Sequence, residues 1–324
     1  MADIASTLTA YFGITGKVIK ERGNYIVKTK DGLYKISKTS EHPKAISKRY
    51  ALLEYLTKGG FCHVDTLFLS RQGLPYINLG RETYVMTRHI KAKETDLNNV
   101  NDIKLILESL ANFHKASCGG LKLDKNILPP KAMPLQQNWK KQVVLMENAL
   151  KQVNRSSRLS DFDMMFLKNY DYFYKKSIEA AEALEKTDYW RMQDLAISQG
   201  NICHNALKEE NLPIMNNICY ITCITDSTQD LQLTDLAYFI RRYARRSDKS
   251  LSVLKLLEIY DSQNPLPSSA HDIILAQLTF PSPFIKILRQ YYSKKRGWTP
   301  IALTSRMNTI LEEQPSYNNY IIEV

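Results

Sequence analysis

Hydrophobic residues recur along this chain with two different periods, and the switch between them near residue 100 leaves few folds open. Before the switch, apolar and polar residues alternate in short runs. GKVIK and NYIVKTK flank the turn ERGN, and KDG precedes LYKISK, so three short strands are predicted over residues 16 to 38. PKAISKRYALLEYLTKGG then places Ile46, Tyr50, Leu53 and Leu56 at helical spacing, opens at Pro43 and stops at Gly59-Gly60. Two further strands are expected, HVDTLFLS and either LPYINLG or ETYVMTRHI, with RQG as the turn between the first two.

After the switch the period is helical. DIKLILESLANFHKA carries Ile103, Ile106, Leu107, Leu110 and Phe113 on one face, with Gly119-Gly120 just past its end. Two long amphipathic stretches follow, from about Pro134 to Val153 and from Asp161 to Glu185, joined by NRSSRLS. A short β-rich patch from SQGNICH to NNICYITCIT interrupts the helices, with Asn216-Asn217 as a turn. Helices resume at Thr234, with a Pro-rich break at 264 to 269. The expected architecture is α+β and two-lobed. Residues 1–90 make a small antiparallel β-rich lobe with one helix, and residues 91–324 a large, mainly α-helical lobe that includes the segment 203–226. This is the element order of protein-kinase-like folds, in which nucleotide sits between the lobes.

Composition excludes several classes. No apolar run approaches the ~18 to 20 residues of a membrane-spanning helix. MADIASTLTAYFG lacks the basic start of a secretory signal, so neither a span nor export is expected. Five cysteines, Cys62, Cys118, Cys203, Cys219 and Cys223, form no CxxC pair, which argues against a disulfide framework or structural zinc site. Each is read as a small buried apolar residue in a reducing compartment. The 44 Lys+Arg against 33 Asp+Glu give a net charge of +11. The densest basic cluster, Arg241, Arg242, Arg245 and Arg246, is predicted to form one stripe on a helix, and Lys294, Lys295 and Arg296 form a second cluster. Only Tyr243 interleaves the stripe as an aromatic, so a solvated or protein-docking face is expected and nucleic acid is not.

Kinase-like phosphoryl transfer needs an Asp that orients the acceptor hydroxyl, an Asn five residues later on a metal ion, and a second metal-binding Asp after a short hairpin. The run from Cys203 to Asn211, CHNALKEEN, keeps this frame, with His204 two residues before the Asp position and Asn211 five after it. The Asp position itself is Ala206. A hairpin follows, and then DLAYFIRR, a helix start with Asp235 as the expected capping residue.

The passages KDGLYKISK, YLTKGGF, TYVMTRHIKAKETDLNNVNDIKLILESLANFHKAS, ICHNALKEENL, DLQLTDLAYFIRR and YYSKKRGWT resemble the CotS-type spore coat proteins of endospore-forming bacteria, which have an aminoglycoside-phosphotransferase-like, kinase-like fold. The passages span almost the whole chain. The block from Thr83 to Ser117 is the most specific, because it resembles the family's strand, hinge and following helix in order. The resemblance implies synthesis in the mother-cell cytoplasm, assembly into the spore coat, and other coat proteins as partners. In aminoglycoside-phosphotransferase-like kinases the metal-binding Asp lies about twelve residues before the later Asp, a count that lands here on Cys223, with Asp226 near but out of register. The family's third-strand Lys falls about where Ser37 stands. Lys35, two residues earlier on the same face, is the nearest substitute, while Lys38 points to the other face. Glu54 is the only acid in the following helix and no clean match for the family's ion-pairing Glu, and ERGN holds a single glycine, Gly23, so no phosphate cradle is evident.

Ala206 has no proton acceptor, and the Cys223 thiol is a soft, poor ligand for magnesium. By analogy with general acid–base groups, each loss costs a factor of ~10² to 10⁴. The expectation is a non-catalytic, pseudokinase-like structural or docking component that uses no cofactor, with His204 and Asn211 as remnants. The alternative is a divergent kinase acting on a small molecule, sugar or coat protein with ATP and magnesium. Lys35 and Asn211 would then bind the cofactor, Asn211 and Asp226 the metal, and Asp226, Glu209 or Glu210 would substitute for the missing carboxylates.

Overall fold

The computed structural model describes residues 4–90, 92–118, 127–293 and 297–322, so Gly119-Gly120 and the cluster Lys294, Lys295, Arg296 lie outside the described residues. The chain divides into two compact units. One comprises Met1–Pro130, Ile197–Asp230 and Ser262–Asn264, the other Lys131–Ala196, Leu231–Asp261 and Pro265–Val324. The β-rich N-terminal region and the segment 203–226 thus share one unit.

The first unit contains α1 (Ile4–Phe12), β1 (Lys17–Glu21), β2 (Asn24–Lys28), β3 (Leu33–Thr39), α2 (Pro43–Lys58), β4 (Ile77–Leu79), β5 (Glu82–Arg88) and α3 (Val100–Ser117). It also holds four two-residue strands, β6 (Ile202–Cys203), β7 (Ile214–Met215), β8 (Ile218–Cys219) and β9 (Thr228–Gln229). The first five strands form one antiparallel sheet in the order β1-β2-β3-β5-β4. Strand alternation sorts its two faces. Val27, Ile36, Tyr84 and Met86 join Leu8 and Phe12 of α1 in a core on one side, and Ile26, Lys35, Ser37, Val85 and Thr87 lie on the other. The β1–β2 turn is two residues, Arg22 and Gly23, both at positive φ, a tight hairpin with no slack to fold over phosphates.

The predicted strand HVDTLFLS does not form. Val64, Leu67 and Ser70 are the buried positions, a period of three rather than two, so the segment makes only isolated bridges, Val64 to Ile221 and Leu67 to Thr87. The amphipathic face of α3 is buried as predicted, from Ile103 to Phe113. The N-terminal helix α1 was not predicted from sequence.

The second unit is helical: α4 (Leu135–Asn154), α5 (Asp161–Glu185), α6 (Tyr189–Ser198), α7 (Leu233–Arg246), α8 (Val253–Asp261), α9 (Ala270–Thr279), α10 (Ser282–Tyr292) and α11 (Pro300–Ile322). Trp139 stacks on Phe280, and Phe162 on Tyr291. Asp235 is not the cap of α7. The capping position is Gln232, and Asp235 sits buried in the first turn, where the helix dipole favours a carboxylate. The cysteine expectation is corrected too. Only Cys203 and Cys219 are buried, whereas Cys62, Cys118 and Cys223 are exposed. Among the described residues no helix is long and apolar enough to cross a membrane.

Candidate functional site

The 203–228 segment is closed at its base where β6 pairs with β9, Ile202 opposite Gln229 and Cys203 opposite Thr228. The next residue, His204, is fully buried. Its Nδ1 lies 3.2 Å from the Ala206 N–H and its Nε2 2.7 Å from the Thr222 carbonyl. Because Nδ1 must accept from the backbone donor, Nε2 carries the proton and donates to Thr222. His204 is therefore a strut between the loop and the far arm of the hairpin. Asn205 follows at φ 64°, a left-handed conformation that Asn tolerates, and its amide reaches the Asp226 carbonyl at 3.0 Å and Thr228 Oγ1 at 2.9 Å.

Ala206 presents only its carbonyl, which accepts the Lys208 N–H at 2.9 Å and the Asn211 side-chain amide at 2.8 Å. Asn211 is buried, its backbone carbonyl accepting both the N–H and the hydroxyl of Thr222. The Asn211 amide nitrogen thus fastens the loop to itself, whereas the atom that would ligate a metal is the amide oxygen. Of the two loop acids, Glu210 is exposed and paired with Lys208 at 3.5 Å, and Glu209 is half-buried at the start of the 3-10 turn 209–211.

After the hairpin β7–β8, turned by Asn216 and Asn217 at positive φ, the chain reaches Cys223, also left-handed at φ 59° and ψ 49°. The Cys223 N–H donates to Asp65 Oδ2 at 3.2 Å. The residue as a whole is exposed, yet protein crowds its sulfur. Burial pushes the thiol pKa up, the Asp65 carboxylate adds to this, and Thr222, Arg49 and Lys35 pull the other way. A thiol held protonated and soft does not suit magnesium. Among the described residues no three His, Cys, Asp or Glu side chains gather as a metal site. Asp226 is exposed, and it lines a cavity with Lys48 and Arg49 to which Asn211 does not contribute.

Lys35 is half-buried on β3, opposite Ile26 and Thr87, and its charge bears on Cys223. Lys38, on the other face, pairs with Glu82. Helix α2 delivers a cation rather than an acid to this region. Arg49, only 12% exposed, binds Glu41 at 2.7 Å, while the exposed Glu54 sits 3.9 Å from Lys58. The structure thus brings Cys223, Lys35, Arg49 and Asp65 together. Asp65 was missed from sequence because its approach is purely tertiary, made by an irregular segment that looks like a strand.

The arginine stripe is split. Arg241 donates to the Gln277 and Phe280 carbonyls at the end of α9, and Arg245 reaches Gln314 at 2.8 Å and Glu313 at 3.4 Å while lying over the Tyr317 ring at 4.3 Å. At least two of its four cations serve the interior of their own unit, so the continuous basic face expected from the helical spacing is broken.

A family model described as "Spore coat putative kinase YutH" matches residues 5–324. Spore coat protein S of Bacillus subtilis (strain 168) is 20% identical over 259 residues, covering 78% of this chain and 72% of that protein. Among solved structures, an aminoglycoside phosphotransferase from Alicyclobacillus acidocaldarius subsp. acidocaldarius DSM 446 superposes with a TM-score of 0.80, at 15% identity over 95% of this chain and 90% of that one. An AMP-bound spectinomycin phosphotransferase does so at 0.67, with 11% identity over 97% and 96%. At these identities the likeness establishes the fold, the kinase-like α+β architecture expected from the element order.

Proposed function

The chain belongs to the YutH spore coat family, and from that premise we propose that it is a catalytically inert, kinase-like component of the bacterial endospore coat, docking against other coat proteins. The observation that carries this reading is that neither key position offers a carboxylate: Ala206 has no proton acceptor, and the Cys223 thiol, which burial and the Asp65 carboxylate hold protonated, is a poor magnesium ligand. The kinship with Spore coat protein S supports assembly into the coat. The purified protein is expected to show no ATP hydrolysis or phosphate transfer with magnesium or manganese. The single change Ala206→Asp is expected to leave this unaltered, because Cys223 still provides no hard ligand. Turnover in the unmodified protein that disappears in Asn211→Ala would overturn the proposal.

One observation favours the second reading, a divergent kinase using ATP and magnesium. The carboxylate lost at Cys223 is replaced in space by Asp65, 3.2 Å from the Cys223 nitrogen. In that reading Asp65 takes the metal-binding role. Asp65→Asn then abolishes turnover, a loss of ~10²-fold or more, and Asp226→Asn does not. On the inert reading both variants match the unmodified protein in a phosphate-release assay.

A further inference from the structure

The sheet of the first unit ends in an open edge. β1 is its outermost strand, and four of its five residues are exposed. Because the β1–β2 turn holds only Arg22 and Gly23, Glu21 and Asn24 exchange both backbone hydrogen bonds, and the alternation of an antiparallel ladder commits the N–H and C=O groups of Ile19 and Lys17 to β2 as well. Val18 and Lys20 therefore direct theirs away from the sheet, and among the described residues no other segment takes them up. The pairing with β2 runs without a bulge from Lys17 to Glu21, and the strand holds no proline, so the edge can accept a further strand.

The sequence of β1, KVIKE, complements itself. An antiparallel second copy placed with its Ile19 opposite Ile19 sets Val18 against Lys20 on both sides of the axis, which closes four backbone hydrogen bonds. Lys17 then faces Glu21 twice, and among the described residues neither has an ion-pair partner within its own chain. Ile19, 51% exposed in the single chain, meets its own copy at the two-fold axis, where the side chains of a non-hydrogen-bonded pair approach closest. Other registers are worse. A slip of one residue sets Val18 and Lys20 against groups already spent on β2, and a slip of two sets Lys20 directly opposite Lys20 or leaves Glu21 opposite Thr15. Lysines ordinarily guard an edge strand by repulsion. In this register Lys17 is neutralised, and Lys20, on the opposite face, lies over the Tyr25 ring at 5.9 Å.

We propose that the chain forms a two-fold dimer through β1, its sheet running unbroken from one copy into the other. The contact uses no residue of 203–226, so it is independent of whether the chain turns over ATP.

The test is sedimentation equilibrium of the full chain. A five-residue edge buries far less than a permanent interface, so self-association is expected with a dissociation constant of about 10 µM to 1 mM. Lys20→Pro removes an outward N–H while sparing every bond to β2, and should weaken association about tenfold or more with little change in the urea midpoint. Lys17→Glu and Glu21→Lys each turn two attractive cross-strand pairs repulsive and should also weaken it about tenfold. An equimolar mixture of these two variants should associate as well as the unmodified chain, because every pair between them is again opposite in charge. That mixture decides the case even where Lys20→Pro lowers the urea midpoint. A chain that stays monomeric up to about 1 mM overturns the proposal. So does association that survives Lys20→Pro, or a mixture that associates no better than its components, either of which places the contact elsewhere.

Discussion

The loop from His204 to Asn211 and the helix α7 mislead in opposite directions. The loop has the spacing of a catalytic motif, and its surviving polar residues turn out to hold backbone: His204 ties Ala206 to Thr222, and Asn211 ties back to Ala206. Helix α7 has the spacing of a surface charge patch, and at least half of that patch is structural, with Arg241 and Arg245 bound inside their own unit. In both regions polar side chains that look available to a ligand are committed to the fold. Residue type states what a side chain can bond, and only its neighbours decide what it does bond.

The largest effect expected from this comparison is at His204. Replacing a fully buried imidazole by alanine leaves a cavity and strips partners from the Ala206 N–H and the Thr222 carbonyl. His204→Ala should lower unfolding free energy by ~3–5 kcal/mol, measured by urea denaturation. A cost below ~1 kcal/mol would return His204 to the role of a remnant with no architectural duty. Next comes the arginine pair. Arg241→Ala removes a charged donor from two carbonyls at the end of α9 and should cost ~2–3 kcal/mol. Arg246→Ala, at an exposed position where water screens the contacts of the guanidinium, should cost no more than ~1 kcal/mol. Equal costs at the two positions would mean that the stripe is the uniform surface its spacing suggests.

Much of this architecture is legible in the sequence for a simple reason: period and punctuation are local. The strands β1, β2 and β3, the stop of α2 at Gly59, the bounds of α4 and α5 within a residue or two, and the Asn216-Asn217 turn all follow from spacing and turn chemistry. What stays hidden is set by distant neighbours. Residues 63–70 are β-branched and apolar enough for a strand, but each third residue is held by a different part of the unit, so no ladder forms. The loss at Ala206 and Cys223 is written in the chain. The approach of Asp65 to Cys223, from 158 residues away, is not. A helical wheel likewise places Arg241 and Arg245 on one flank of α7 without saying that α9 and α11 face it.

The smallest expected effect extends the comparison to an acid. Asp163, in the first turn of α5, accepts from the Ser160 backbone N–H at 3.0 Å and from the Tyr292 hydroxyl at 2.7 Å, while Ser160 Oγ accepts the Asp163 N–H in return, a capping box that also anchors α10. Burial alone would raise the pKa of this carboxyl. The Ser160 hydroxyl and backbone bonds, with Tyr292, outweigh it and hold the pKa below the usual carboxylate value. The folded chain therefore binds this proton less readily than the unfolded chain. The stabilisation is fully present above the unfolded value of about 3.9 and is lost as pH falls through the lower folded value. Asp163→Asn should be less stable than the unmodified protein at pH 6 to 7, and the gap between their urea midpoints should narrow steadily below about pH 4. A gap of the same size at pH 6 and at pH 2.5 would show that the carboxylate charge contributes nothing to the cap, and that Ser160 and Tyr292 hold α5 through neutral hydrogen bonds that an amide makes equally well.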